Sequence, residues 1–246
     1  MFNFFSRRKK ITPDPRIPVT VDLHSHLLPA LDDGVETEEE SLQLIRAMAD
    51  LGYRKFITTP HIYPGSYNNS EGTIRPALVK LQASLSANRI SVSVEAAAEY
   101  FFDEFFIAKL SSKELLTFGG DYVLFELAFG VRPVLLEKVI FQMNVSGYKP
   151  VLAHPERYSF FYDRKLYELE KLKDTGIFFQ LNIMSLSNQY GNRVRDMARA
   201  LIDQNMIDFA GSDLHRAVQL PSLSDSMKDK YFFKLLDSGK LLNETL

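Results

Sequence analysis

The fold is decided by residues 19–26, which read VTVDLHSH, a strand-like run that ends in two histidines. Side chains two residues apart in extended backbone point to the same side, so His24 and His26 can share one metal ion. The other three histidines also follow strand-like runs, in the segments Thr59-Pro60-His61, Ala153-His154-Pro155 and Ser212-Asp213-Leu214-His215. Because α/β scaffolds draw site residues from several strand ends, this placement predicts a metal site.

Composition limits the chemistry of that site. The chain has 246 residues, of which 46% are hydrophobic and 24% are charged, as in an ordinary globular protein. Its net charge of −2 argues against a nucleic-acid partner. It contains no cysteine, which excludes disulfides, thiolate metal sites and cysteine nucleophiles, including those of cysteine-based tyrosine phosphatases. Any metal must therefore bind to nitrogen and oxygen ligands.

Apolar runs of strand length alternate with longer segments of helical period along the chain. The predicted strands are residues 19–24, 55–59, 90–98, 122–127, 149–153, 177–181 and 207–210. One predicted helix begins after its cap Thr37, has Glu40 in a capping box and ends at Gly52. Further helices are predicted near residues 74–88, 132–146, 164–175, 192–204 and 225–238.

This alternation predicts one domain, residues 19–246, preceded by a basic tail, residues 1–18. Parallel strands joined by helices form either an open doubly wound sheet or a closed barrel. No Gly-x-Gly-x-x-Gly segment follows a strand, so the nucleotide-binding sheet lacks its fingerprint. Candidate ligands follow most of the strands, and only a barrel brings so many strand ends to one centre. We therefore predict an α/β fold, a distorted (β/α)7 barrel of the TIM type.

The tail contains Arg7, Arg8, Lys9 and Lys10. It predicts either a contact with an anionic membrane surface or a solvated terminus. The chain has no apolar run of the roughly 18 residues that a transmembrane helix needs, and residues 1–10 lack the apolar region of a secretory signal. The sequence therefore predicts a cytoplasmic protein.

Four carboxylates join the five histidines as candidate ligands. Asp33 lies in the loop after the first strand, where it can bind a metal or solvate the turn. Glu99 and Glu126 each end an apolar strand, and a buried carboxylate there needs either a cation or a salt bridge. Nine candidates exceed the needs of one ion and predict two or three. They are His24, His26, Asp33, His61, Glu99, Glu126, His154, Asp213 and His215.

The motifs together resemble the polymerase and histidinol phosphatase (PHP) superfamily. That resemblance is carried by His24-Ser25-His26, Thr58-Thr59-Pro60-His61, Glu99, His154 and Asp213-Leu214-His215. Further segments resemble the metal-dependent protein-tyrosine phosphatases of bacterial capsule and exopolysaccharide systems. These segments are residues 21–26, Asp32-Asp33-Gly34 with Glu39-Glu40-Ser41, His154-Pro155-Glu156-Arg157-Tyr158, and Ser185-Leu186 with Tyr190-Gly191.

The resemblance implies the PHP form of the barrel and three divalent metal ions. The first ion would be bound by His24, His26, Glu99 and Asp213, the second by Glu99, Glu126 and His154, and the third by Asp33, His61 and His215. Manganese is usual in the family, with iron, zinc or magnesium as alternatives. A hydroxide bridging two ions would attack phosphorus.

The resemblance also implies that Arg157, Glu99 and Asp213 are catalytic, with Arg157 binding a pair of phosphate oxygens through its guanidinium fork. Taken alone, Arg157 is also consistent with a surface ion pair, the less favoured of the two interpretations. The family tends to have another arginine after the final histidine. Here Leu220-Pro221 occupies that stretch, so Arg216 is the nearest candidate for a second phosphate contact.

Aromatic residues are frequent, with 19 Phe and 11 Tyr in the chain. The pairs Phe101-Phe102 and Phe105-Phe106 and the run Phe160-Phe161-Tyr162 lie close in sequence to candidate ligands. They can frame a phosphotyrosine ring, or pack the core or an oligomer contact as aromatic pairs at helical spacing more often do.

We therefore predict a metal-dependent phosphomonoesterase that acts on protein phosphotyrosine. The implied partner is the tyrosine-rich tail of a bacterial tyrosine kinase that controls polysaccharide export. One alternative is a PHP phosphatase for a small metabolite such as histidinol phosphate. A non-catalytic metal-binding domain would lack ligands, whereas all nine positions are filled here. An amidohydrolase also begins with His-x-His on a barrel, but the ending Asp213-Leu214-His215 and the short chain fit it less well.

Overall fold

The computed structural model describes residues 19–162 and 166–246, so the predicted basic tail lies outside the described residues. Its strands are β1 (Val21–Leu23), β2 (Lys55–Thr58), β3 (His61–Ile62), β4 (Ser93–Ala96), β5 (Glu99–Phe101), β6 (Tyr122–Glu126), β7 (Lys149–Ala153), β8 (Phe178–Asn182) and β9 (Phe209–Gly211). Its α-helices are α1 (Glu38–Leu51), α2 (Glu71–Ala87), α3 (Glu104–Ser112), α4 (Leu136–Val145), α5 (Tyr167–Asp174), α6 (Asn192–Asp203), α7 (Leu220–Ser226) and α8 (Lys230–Asp237). None of the helices in these ranges has the length and apolar character needed to cross a membrane.

Helix α1 forms for the reasons that its sequence indicates. The Thr37 hydroxyl accepts a hydrogen bond from the Glu40 amide at 3.2 Å, and the Glu40 carboxylate accepts one from the Thr37 amide at 3.4 Å. Gly52 ends the helix with a φ of 118°, which favours glycine. The face with Ile45 and Met48 is fully buried in the hydrophobic core. Both the cap and the stop predicted from the sequence are confirmed.

Nine strands occupy seven positions, because two positions each contain a strand that is interrupted. Strand β2 continues as β3 after Thr59-Pro60, and β4 continues as β5 after Ala97-Ala98. All pairings are parallel, in a three-stranded sheet ordered β1-β2-β4 and a six-stranded sheet ordered β3-β5-β6-β7-β8-β9. The seven positions agree with the prediction, and the carboxyl ends of all strands face one end of the domain.

The barrel is not closed by a continuous ladder, which corrects the prediction of closure. Strands β1 and β9 are neighbours, but the segments that follow them share only one bridge, between Ser25 and Leu214. Two backbone hydrogen bonds accompany it, from the Asp213 amide to the His24 carbonyl at 2.8 Å and from the His26 amide to the Leu214 carbonyl at 3.0 Å. We call this region the β1–β9 junction.

Buried polar side chains replace the missing ladder at the β1–β9 junction. The Asp22 carboxylate accepts hydrogen bonds from the Ser212 amide at 2.8 Å and the Ser212 hydroxyl at 3.0 Å. Near the other end, the Asn243 amide donates to the carbonyls of Val21 and Ala210 at 3.0 and 2.7 Å. Burial raises the pKa of Asp22 to about 6, against the opposing effect of the Ser212 hydrogen bonds. These contacts satisfy backbone groups that a closed barrel would pair within its sheet.

Two predicted elements differ from the structure, and one helix was not predicted. The helix that was not predicted is α3, which the Asp103 carboxylate caps by accepting from the Phe106 amide at 2.8 Å. The helix predicted near 225–238 is two helices, α7 and α8, because Asp229 caps a new helix by accepting from the Tyr231 amide at 2.7 Å. The strand predicted at 90–98 begins at Ser93 and is interrupted.

Gly211 generates a stability prediction, because a Cβ there would collide with the Leu23 carbonyl and lie 2.8 Å from the His24 Cβ. Replacing it with alanine must separate β1 from β9. We expect Gly211→Ala to cost about 3 kcal/mol and to lower the melting temperature by roughly 6–12 °C in thermal unfolding. The matched control is Gly72→Ala in α2, where the added Cβ meets nothing nearer than 3.5 Å. Equal melting temperatures for the two variants would contradict the close approach.

Candidate metal centre

His24 and His26 both direct their Nε2 atoms to the centre, because two buried side chains form hydrogen bonds with their Nδ1 atoms. The Nδ1 of His24 lies 2.8 Å from the Gln180 Oε1, and the Nδ1 of His26 lies 2.7 Å from the Asp32 Oδ2. Both Nδ1 atoms therefore carry the proton, and both Nε2 atoms are free to bind a cation. The Nε2 of His24 lies 3.0 Å from the Glu99 Oε2, and that of His26 lies 3.5 Å from the same atom.

Asp213 and His215 approach from the other side of the β1–β9 junction. The Asp213 Oδ1 lies 3.3 Å from the His24 Nε2 and 3.5 Å from the His26 Nε2. The His215 Nδ1 donates to the Asp213 carbonyl at 2.9 Å, which leaves its Nε2 3.5 Å from the Asp33 Oδ1. Asp33 is half exposed, whereas its neighbour Asp32 is buried and supports His26.

Glu99 lies at the centre of the site. Its Oε1 lies 3.1 Å from the His154 Nε2, and its Oε2 lies 3.3 Å from the His61 Nδ1. Glu126 is next to it, with Oε1 3.4 Å from the His61 Nδ1 and Oε2 3.9 Å from the His154 Nε2. One carboxylate thus contacts four histidines from three strand ends when His24 and His26 are included.

All nine predicted ligands come together, and they form four overlapping groups whose ligand atoms lie within 4.8 Å of one another. Those groups are His26-Asp33-His61-His215, His24-His26-Asp213, His24-Glu99-His154 and His61-Glu99-Glu126. The first contains the whole set predicted for the third ion. The set predicted for the second ion, Glu99 with Glu126 and His154, is divided between two groups. The structure thus provides overlapping clusters of nitrogen and oxygen donors that can bind metal ions.

The backbone is strained at three of these residues. His24, His154 and Asp213 have φ values of 91°, 34° and 50°, in the region that side chains with a Cβ rarely adopt. Such strain persists only where the surrounding structure imposes it, and it concentrates at functional sites. Each of the three lies at the point where a strand ends and the chain turns its side chain toward the centre.

The centre has more negative charge than its own cations balance. Burial opposes protonation of His24, but Glu99 and Asp213 outweigh it and raise the pKa of His24 to about 9. Burial and the nearby Glu99 and Asp213 carboxylates raise the pKa of Glu126 well above its usual value. By contrast, burial and the charge of Arg157 lower the pKa of His154 to about 4. Protons therefore bind where cations would relieve the repulsion between carboxylates, and metal binding would displace them.

Unpaired nitrogen atoms test whether metal ions fit the site. The Nε2 of His26 and the Nδ1 of His61 are buried and have no hydrogen-bond partner. A buried polar atom without a partner costs about 1–3 kcal/mol, which a metal bond would recover. Together with the surplus of carboxylates and the absence of sulfur ligands, these atoms fit a divalent ion that accepts nitrogen and oxygen donors.

The centre opens into a cavity of about 420 Å³, behind which His24 and His26 are fully buried. Arg157 lies in its wall, and its guanidinium donates to the Asp213 Oδ2 at 2.9 Å. The guanidinium carbon lies over the rings of Phe129 and Tyr190, at 4.7 and 4.6 Å from their centroids. Two aromatic faces and one carboxylate thus hold the arginine with further N–H groups toward the cavity.

The aromatic rings that line the cavity are Tyr63, Tyr67, Phe129 and Tyr190. Of the pairs quoted from the sequence, Phe102 and Phe106 pack against Phe125 in the core. Phe101 contributes only indirectly, by stacking on Tyr63 at 4.1 Å between centroids. Tyr190 belongs to a motif quoted from the sequence, but Tyr63, Tyr67 and Phe129 were missed because they stand singly, where periodicity gives no signal.

Arg216 lies at the edge of the site rather than among the residues that line the cavity. Its Nε donates to the Asp33 carbonyl at 3.2 Å, and its guanidinium pairs with Glu36 at 3.0 Å. Its role as a second phosphate contact stays a prediction. Gln219, one helical turn further along the chain, does line the cavity.

Sequence reasoning also missed a buried network behind Arg157. The Asn182 amide donates to the Asp213 Oδ2 at 2.8 Å. The Glu156 Oε1 in turn accepts from the Asn182 backbone amide at 3.0 Å and from the Ser185 hydroxyl at 2.7 Å. Burial raises the pKa of Glu156 to about 7, which these hydrogen bonds oppose. Glu156 and Ser185 belong to motifs quoted from the sequence, whereas the only signal for Asn182 was its place at the end of an apolar strand.

The chain is similar in sequence to a known family and to proteins named as tyrosine phosphatases. A family described as "Capsular polysaccharide synthesis, CpsB/CapC" matches residues 20–231. Tyrosine-protein phosphatase YwqE of Bacillus subtilis is 31% identical over 200 residues, which are 79% of this chain and 77% of YwqE. Putative tyrosine-protein phosphatase CapC of Staphylococcus aureus is 26% identical over 231 residues, 90% of each chain.

Solved structures agree with these sequence relatives. A chain from the crystal structures of YwqE from Bacillus subtilis and CpsB from Streptococcus pneumoniae, described as unique metal-dependent tyrosine phosphatases, superposes with a TM-score of 0.78 at 27% identity. The match covers 92% of this chain and 94% of that one. An amidohydrolase from Mycoplasma synoviae superposes with a TM-score of 0.54 at 12% identity. That match covers 93% of this chain and 88% of the amidohydrolase, and at this identity it shows the shared fold alone.

The role of Asp32 in orienting His26 yields a prediction about metal affinity. Asp32→Asn keeps the shape of the side chain but removes the charge that holds the His26 Nδ1 proton. Partners of this kind typically contribute 10–100-fold to affinity, so we expect the Mn²⁺ dissociation constant to rise about tenfold in isothermal titration calorimetry. Asp50→Asn, on the exposed end of α1, is the control and should bind Mn²⁺ like the wild type. Wild-type affinity in Asp32→Asn would refute the orienting role.

Proposed function

Because the chain belongs to the CpsB/CapC family of capsular polysaccharide synthesis, we propose that it is a metal-dependent phosphatase that hydrolyses phosphotyrosine in proteins. The observation that carries this proposal is the meeting of nine nitrogen and oxygen donors with one aromatic-clamped arginine at the same cavity. The donors suit divalent cations, and the arginine suits a phosphate. The relatives named as tyrosine phosphatases support the choice of substrate.

Bound divalent ions would supply positive charge that polarises the phosphate oxygens, and they would make hydroxide available at neutral pH. We propose three ions, manganese first, bound by His24, His26, Asp33, His61, Glu99, Glu126, His154, Asp213 and His215. In this assignment Gln180 and Asp32 fix the imidazole orientations, and Glu99 joins neighbouring ion sites.

Arg157 would bind the phosphate that the cavity admits. A guanidinium presents two parallel N–H groups that match two phosphate oxygens. Its contact with the Asp213 Oδ2 uses part of the fork and leaves further donors for a ligand. Burial would lower the pKa of Arg157, but the Asp213 carboxylate outweighs it and raises that pKa, so the side chain stays charged. Placement between Phe129 and Tyr190 restricts the guanidinium and reduces the entropy lost on binding.

The chemistry of the leaving group favours phosphotyrosine, an aryl ester, over phosphoserine as the substrate. Hydrolysis of phosphotyrosine releases a phenolate, whose conjugate acid has a pKa of about 10, so the departing oxygen needs little protonation. The alkoxide released from phosphoserine is far more basic and needs an acid. The rings of Tyr63, Tyr67 and Phe129 also give the cavity an apolar wall for the tyrosine ring.

We further propose that the physiological substrate is the phosphorylated tail of a bacterial tyrosine kinase that controls polysaccharide export. Residues 19–246 would form the phosphatase domain in the cytoplasm. The basic tail, residues 1–18, would contact an anionic membrane surface near such a kinase.

Phosphate release by the purified protein with Mn²⁺ tests the proposed activity. We expect a phosphotyrosyl peptide to be hydrolysed faster than histidinol phosphate, and a chelator to abolish both reactions. His154→Ala should reduce turnover to the level of the chelator blank, because it removes a ligand beside Glu99 and Glu126. Circular dichroism would verify that this variant is folded. A preference for histidinol phosphate would instead assign the protein to small-molecule metabolism, and full activity of His154→Ala would refute the site.

Arg157→Lys tests the phosphate contact. Lysine keeps the charge but lacks the planar fork, so we expect kcat/KM for the phosphotyrosyl peptide to fall roughly 10–100-fold. The matched control is Arg199→Lys, because Arg199 also pairs with an aspartate, Asp229 at 3.1 Å, and lies over a tyrosine ring, but on α6. Arg199→Lys should keep wild-type turnover. An equal decrease in both variants would indicate general destabilisation rather than a lost phosphate contact.

A further inference from the structure

An exposed apolar segment lies beside the cavity, in the connection between β6 and α4. We call it the 129–135 segment, after its first and last residues. It follows Glu126 at the carboxyl end of β6, so it lies at the same end of the domain as the metal centre. The exposed fractions of its apolar residues are 45% for Phe129, 71% for Val131, 93% for Val134 and 49% for Leu135.

Such exposure is concentrated here. In the described part of the chain ten large hydrophobic residues are exposed, and four of them fall within these seven positions. Single exposed apolar residues need no explanation, but a contiguous group beside a cavity indicates an interaction surface. Water contact at these side chains is unfavourable, and a partner that covered them would gain from their burial.

Polar contacts hold the 129–135 segment in place. The Phe129 carbonyl accepts hydrogen bonds from both the amide and the hydroxyl of Ser159, each at 3.2 Å. Arg132 pairs with Glu137, and its guanidinium also lies 3.8 Å from Glu168 on α5. Val131 therefore lies between two anchored residues, and Val134 lies between Arg132 and the start of α4. A preformed surface of this kind loses little entropy when it binds.

The segment is continuous with the cavity through Phe129. This ring lines the cavity, lies under the Arg157 guanidinium, and stacks at 5.9 Å between centroids on His154. A polypeptide that places a phosphotyrosine in the cavity must run across the edge of the site. The exposed valines follow this cavity residue by only two and five positions.

We propose that the 129–135 segment docks the polypeptide that carries the phosphotyrosine, through apolar residues next to it. This inference rests on the proposed function and adds a preference for the sequence around the modified tyrosine. A second copy of the chain is a poorer occupant, because a stable dimer interface uses about 20–30 residues a side, and this segment has seven. Its continuity with the cavity also favours the substrate.

Paired peptides test the docking surface. The first phosphotyrosyl peptide has leucine on both sides of the phosphotyrosine, and the second has serine at the same positions. For the wild type we expect kcat/KM to be about tenfold higher for the leucine peptide, which matches the burial of one or two aliphatic groups. In Val131→Ser/Val134→Ser that ratio should fall to about one. p-Nitrophenyl phosphate, which has no flanking residues, reports whether the metal centre works.

A matched double variant controls for the loss of two exposed valines. Val79→Ser/Val145→Ser changes the same residue types at exposed positions on α2 and α4, and it should keep the tenfold preference. If the wild type releases phosphate from p-nitrophenyl phosphate but hydrolyses the leucine and serine peptides equally well, the docking surface is refuted and the proposed function stands. A preference that survives in Val131→Ser/Val134→Ser would also overturn it.

Two further outcomes are decisive. Loss of a dimer in Val131→Ser/Val134→Ser, measured by light scattering, with an unchanged peptide preference would assign the segment to contact between copies and refute docking. Absence of metal-dependent phosphate release from every substrate would refute the proposed function and the docking inference together.

Discussion

The β1–β9 junction is the constraint on which the rest of this structure depends. A barrel of seven parallel positions must bring its first and last strands together, and here they meet without a ladder. Gly211 permits the close approach, because any side chain there would collide with β1. The buried Asp22 and Asn243 then supply the hydrogen bonds that the strands do not make with each other. Polar groups buried at this cost persist only where they are fully paired.

The same junction assembles part of the candidate metal centre. His24 and His26 follow β1, whereas Asp213 and His215 follow β9, so each side contributes two donors to the overlapping groups at the centre. The backbone strain at His24 and Asp213 arises where the chain leaves those strands. Cations bound between the two sides would join them, and their binding energy would then contribute to the stability of the fold. The β1–β9 junction thus both brings the first and last strands together and assembles donors of the candidate site.

The parts of this protein that depend on local pattern were predictable from sequence. Strand positions follow from apolar runs, α1 follows from Thr37 and Gly52, and the ligands follow from histidines at strand ends. The open junction was not predictable, since it depends on pairing between residues far apart in sequence, such as Asp22 and Ser212, which are 190 residues apart. Gln180 and Asn182 were missed for the same reason. Their sequence context is an apolar strand, and only the fold shows that they point at His24 and Asp213.

Asp213 connects the two halves of the chemistry. Its Oδ1 faces the histidine Nε2 atoms, while its Oδ2 accepts hydrogen bonds from Arg157 and Asn182. The two oxygens of one carboxylate therefore face different partners, one the histidines and the other the arginine. Any shift of β9 would move both sets of contacts at once, because Asp213 follows Gly211 by two residues. The spacing between the histidine Nε2 atoms and the Arg157 guanidinium thus depends on a single side chain, whose position is in turn set by the β1–β9 junction.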